Sequence, residues 1–154
     1  MWPSSTRSRM IMQTNQTRGT SSEALARDFL ESQDYTFISS NFTRRVGEID
    51  LIMLSPEDSA GQSTLVFVEV RYRANSDFGG ALASISWKKQ RKMLRVASLW
   101  LQKHATSRDC ARIDVIAVQP AANSSMNNIH QASNCYKYRG HELVWVQNAV
   151  ESTT

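Results

Sequence analysis

Apolar positions along the chain change period several times, and each change marks an element. Ala24, Leu25, Ala26, Phe29 and Leu30 recur at helical spacing behind Thr20-Ser21-Ser22-Glu23. That tetrad fits a capping box, with Thr20 as N-cap and Glu23 at the third helical position. The pattern predicts a helix to about Gln33. Tyr35 to Ile38 then reads as a strand continuing loosely to Phe42, and Val46 to Leu54 as a second strand, apolar except where carboxylates fall. Ser55 to Ser63 is rich in turn formers and reads as a loop. Leu65 to Arg73 is the clearest strand in the chain.

Beyond Gly79-Gly80, a long helix is expected from about Ser84 to His104, with Ile85, Met93, Leu94, Val96, Ala97, Trp100 and Leu101 on its apolar side. Ile113 to Val118 is a fourth strand, Ala121 to Asn134 a polar loop insertion, and Leu143 to Val146 a short last strand. Helix, three strands, helix, strand, strand is the order of a mixed α/β sheet flanked by helices. Strands two and three make a hairpin, and the long helix is a crossover that allows a parallel neighbour. Residues 19–150 read as one domain, between a basic N-terminal tail over 1–18, expected to be flexible, and a short tail over 151–154.

On strand two, Glu48 and Asp50 share a face; on strand three, Glu69, Arg71 and Arg73 do. A hairpin symmetric about its loop puts Asp50 directly opposite Glu69. Like charges across a strand pair destabilise it, and apolar surroundings add a desolvation cost, so something positive is required. A hard divalent cation such as Mg²⁺ or Mn²⁺ meets that need. So does an ion network with Arg71, Arg73, Arg44 or Arg45, and spacing does not choose between them. Glu48, after a glycine at a strand start, reads equally as an exposed residue.

Charge adds a second theme. The 154 residues carry 18 Lys+Arg against 14 Asp+Glu, a formal charge of +4 that favours an anionic partner only mildly. Lys88, Lys89, Arg91, Lys92 and Arg95 crowd the first half of the long helix, and Lys88, Lys92 and Arg95 fall on one ridge. Such a ridge suits a phosphodiester, although most helical charge runs are simply solvated faces. Trp87 could stack on a base or pack near the helix start. His104, His130 and His141 receive no role. Two cysteines without ligand spacing suggest a reduced, cytoplasmic protein, and no run reaches the ~18 apolar residues a membrane span needs.

At Gly47-Glu48-Ile49-Asp50-Leu51-Ile52 and Val66-Phe67-Val68-Glu69-Val70-Arg71 the sequence resembles the YraN-like family of small bacterial proteins. Gly19, Glu23, Ala26, Asn41-Phe42, Phe78-Gly79, Lys89-Gln90, Arg112-Ile113-Asp114-Val115 and Asn148-Ala149 extend the match. That family in turn resembles the PD-(D/E)XK nucleases, especially archaeal Holliday-junction resolvases. The resemblance implies a restriction-endonuclease-like mixed sheet of about five strands with two main helices. It implies Asp50 and Glu69 as metal-binding catalytic carboxylates, and Glu23 as a third carboxylate from the first helix. Mg²⁺ or Mn²⁺ is the implied cofactor, DNA (branched DNA in particular) the implied substrate, and a homodimer the implied assembly. Lys88, Lys89, Lys92 and Arg95 would be nucleic-acid contacts. Arg71 stands where the motif has its lysine; an arginine stays protonated and cannot serve as the base.

Overall fold

The computed structural model describes residues 21–74, 85–104, 111–121 and 134–150. Thr20, the N-cap of the expected capping box, Gly79-Gly80, Ser84, both tails and nearly all of the 121–134 loop lie outside the described residues.

Helix α1 covers residues 21–32. It is followed by β1 (Thr36–Arg44), β2 (Gly47–Leu54), β3 (Leu65–Tyr72), helix α2 (Trp87–Lys103), β4 (Ala111–Pro120), β5 (Cys135–Tyr138) and β6 (His141–Val150). The strands form one sheet in the order β1-β2-β3-β4-β6-β5. β3 and β4 are parallel, joined through α2, and the other neighbours are antiparallel. A parallel pair needs a crossover, and the long helix supplies it.

Helices cover both faces of the sheet, which is why β2, β3 and β4 read as nearly unbroken apolar runs. One face packs on α2: Ile52, Leu65, Phe67, Ile113 and Val115 meet Met93, Val96, Ala97, Trp100 and Leu101. The other packs on α1: Leu51, Met53, Val66, Val68, Ile116 and Val118 meet Ala26, Phe29 and Leu30. The two sets alternate from Leu51 to Met53 in β2 and from Leu65 to Val68 in β3, as the period of a strand demands, while Ile49 joins the α2 face. Helix α2 starts three residues later than its sequence pattern suggests. Ser86 is its N-cap and accepts from the Lys89 N–H.

β5, not expected from the sequence, is a short edge strand hairpinned onto β6. Arg139 and Gly140 both take positive φ, 45° and 74°, the conformation of a two-residue turn of type I′. Tyr136 and Tyr138 turn their rings onto Phe29 of α1, with centroids 5.1 and 5.6 Å apart, and this anchors the edge. Among the described residues no helix is long and apolar enough to cross a membrane.

Candidate functional site

The β2–β3 ladder runs from Leu54↔Leu65 to Leu51↔Val68 and stops. Beyond that pair β2 stays with β1 (Phe42↔Ile49, Thr43↔Glu48), while β3 stays with β4 (Glu69↔Val115). The sheet therefore forks, and Asp50 and Glu69 are the first residues past the fork, one on each side. Asp50 Oδ2 accepts the Val70 N–H at 2.8 Å, a donor that no ladder partner takes at the fork. Carried one step further, the register would set Asp50 opposite Glu69. The two carboxylates do interact, but across a gap rather than across a continuous ladder.

Both side chains are buried, Asp50 8% and Glu69 5% exposed. Burial and the neighbouring charge of Glu69 push the Asp50 carboxyl up to about 7, against the opposing Val70 N–H and Lys89. Glu69 Oε1 receives two cations: Lys89 Nζ at 3.0 Å from α2, and Arg71 Nε at 3.4 Å from its own strand. Arg71 Nε makes no hydrogen bond, so that contact is charge attraction alone, and Glu69 Oε2 is buried with no hydrogen-bond partner.

Asp114 shows what a buried acid looks like when its role is structural. It is 0% exposed, and its oxygens accept from Arg112 Nε (2.9 Å), Arg112 Nη2 (3.2 Å), Trp145 Nε1 (3.0 Å) and the Asn148 N–H (2.9 Å). Every lone pair has a use. At the fork, by contrast, one carboxyl is driven to hold its proton and an oxygen of the other is left over. That residual acceptor, Glu69 Oε2, is what an oxygen-seeking cation would satisfy.

Glu23 reaches the same region from α1. Burial, then the charge of Glu48, push its carboxyl above the usual range; a hydrogen bond with the Asn41 side chain opposes this and Glu69 adds to it. Glu23 is thus within electrostatic range of Asp50, Glu69 and Glu48. Even so, no group of three His, Cys, Asp or Glu side chains among the described residues converges closely enough to hold an ion. The pair is assembled; the third carboxylate stands off.

The remaining sequence candidates separate. Lys89 turns inward to Glu69, whereas Lys88, Lys92 and Arg95 stay on the exposed side of α2. Trp87 is 64% exposed, so it is not a packing residue. Arg44 lies over the Phe42 ring at 4.1 Å and donates to the Thr43 carbonyl instead of joining the acidic pair. Lys89 as the ammonium of the site was beyond sequence reasoning, since it depends on where α2 crosses the sheet.

Sheet, helices and fork define an α/β protein with a restriction-endonuclease-like core. The chain belongs to the UPF0102, YraN-like, family: the family described as "Uncharacterised protein family UPF0102" matches residues 22–118, from α1 through most of β4. It is 44% identical over 109 residues to a UPF0102 protein of Mannheimia succiniciproducens, covering 70% of this chain and 87% of the relative. It is 35% identical over 140 residues to one from Aliivibrio fischeri strain MJ11, covering 90% and 94%. A Haemophilus influenzae relative is 47% identical over 102 residues, covering 65% and 81%.

Proposed function

We propose that this chain is a cytoplasmic, metal-dependent endonuclease that hydrolyses phosphodiester bonds in DNA, with branched DNA as its preferred structure. The observation that carries this reading is the buried, incompletely satisfied carboxylate pair at the sheet fork. Asp50 and Glu69 would hold Mg²⁺ or Mn²⁺, and Glu23 would have to move in from α1 to join them. When bound, such a cation supplies Lewis-acid stabilisation of the phosphate and a more acidic water.

The chain's own cations have separable parts. Arg71, always protonated, cannot take a proton, so it serves to orient and to stabilise charge building on the phosphate. Lys89 brings a second positive charge from α2, on a flexible stem that can turn from Glu69 to an incoming anion. Buried walls around the pair keep these interactions strong by excluding water. Trp87, exposed at the start of α2, offers a stacking face for a base. Two copies acting together would suit a branched substrate, and sedimentation with and without DNA tests that.

The test is to incubate the purified chain with branched, flapped and linear DNA in Mg²⁺ or Mn²⁺. Cleavage should occur, favour branched substrates, and vanish in Asp50→Asn and Glu69→Gln. Arg71 in the lysine position favours a second reading, a nucleic-acid-binding module of the same fold with weak or no catalysis. Tight binding without cutting at any metal concentration would establish that second reading.

A further inference from the structure

Between the β1–β2 hairpin and the first half of α2 lies an open cleft of about 320 Å³, lined by Arg44, Arg45, Lys89, Lys92 and Glu48 among others. Four cations face it against one carboxylate. Arg44 and Gly47 pair at the hairpin end, leaving Arg45 and Val46 as a two-residue tip that overhangs the helix. The walls are fixed to each other. Gly47 holds φ at 154°, which L side chains rarely adopt, and a Cβ there would lie 3.5 Å from both Lys92 Cβ and Val96 Cγ2. The turn end of the hairpin therefore sits directly on α2.

Among the described residues, Arg45 and Lys92 have no ion-pair or hydrogen-bond partner. Helix α2 also carries no acid in its first turn, and Lys88, Lys89, Arg91 and Lys92 crowd its start. Cations at a helix N-terminus oppose the macrodipole, which prefers negative charge there. Lys89 is paired with Glu69, and an anion in the cleft would ease the repulsion among the rest.

We infer that this cleft is a binding site for phosphodiester backbone, with Arg45 and Lys92 as its phosphate contacts. It would hold the strand beside the phosphate that occupies the acidic pair. The inference rests on the nuclease reading above, and position selects the ligand. Lys89 lines the cleft and also touches Glu69, so cleft and carboxylate pair are continuous. A polyanion with evenly repeated charges can fill both at once, its neighbouring phosphates following the cations. The acidic pair alone repels phosphate and peptide carboxylate alike, so it is the cation of the nuclease reading that would draw a phosphate to the inner end of the cleft. Recognition here is of backbone charge, without base contacts.

The test measures binding of the full chain to a short random-sequence duplex in EDTA, as a function of salt. The absence of metal separates this site from any metal effect. Arg45→Ala/Lys92→Ala should weaken binding roughly tenfold at low salt and reduce the log–log salt slope by about 2, alike for unrelated sequences. Lys103→Ala, at the far end of α2, should leave the slope unchanged. A double variant with the wild-type slope overturns the cleft while leaving the nuclease reading intact. A wild-type chain that binds no duplex in EDTA overturns the cleft, and one that binds no DNA, branched or linear, with or without Mg²⁺ overturns both. Binding of polyglutamate in preference to DNA, lost in the double variant, overturns the phosphodiester assignment in favour of an acidic protein partner.

Discussion

A carboxyl raised to about 7 keeps its proton in the folded chain at pH values where the unfolded chain has released it. From about pH 4 to pH 7 the native state then binds more protons than the unfolded one. Asp50 therefore makes the fold less stable as pH rises through that window, and the loss persists above it. Asp50→Asn carries no charge at any pH, and its amide oxygen can still accept the Val70 N–H. In the metal-free protein this variant should match wild type near pH 4 and exceed it at pH 8, by on the order of 1–3 kcal/mol. Urea unfolding across a pH series reads this directly. A wild-type curve parallel to that of the variant through the window would mean that Asp50 ionises as an ordinary aspartate.

Elements were legible where a single strand or helix carries its own pattern. The apolar runs of β2 and β3, the loop after Leu54 and the helix at 87–103 all follow from period and turn chemistry. β5 was missed because Cys135–Tyr138 gains its strand character from outside: β6 pairs with it, and Phe29 of α1 receives its tyrosines. Its one local signal was the alternation Tyr136/Tyr138 ahead of Arg139-Gly140. Asp114 marks the same limit. Sequence places it in an apolar strand, as it places Asp50, but beside Arg112 of its own strand its partners are Trp145 and Asn148 of β6, where the β4–β6 register shifts between Ile113 and Val115. Because four donors converge on it, Asp114→Ala should destabilise the fold by about 3–5 kcal/mol, leaving the Arg112 guanidinium half-buried and uncompensated. Chemical denaturation measures this. A loss under about 1 kcal/mol would show the network to be dispensable for pinning β6 to β4.

Across the whole molecule, the sheet order turns local strands into a site. The fork exists because β2 follows β1 while β3 follows β4, and the crossover helix that makes β3 and β4 parallel also delivers Lys89 to Glu69. No segment holds the acidic pair alone, so cation binding should report on the global fold. A ligand that binds only the native state adds about 2.7 kcal/mol at one hundred times its dissociation constant. Carboxylates must be deprotonated to bind a metal, and Asp50 gives up its proton only near pH 7. Mn²⁺ should therefore raise the unfolding midpoint clearly at pH 8 and little at pH 5. Asp50→Asn and Glu69→Gln should abolish the increase. Calorimetric scans with and without Mn²⁺ at both pH values test the metal assignment without any measurement of cleavage. An increase of equal size at pH 5, or one that survives both substitutions, would place the ion elsewhere on the chain.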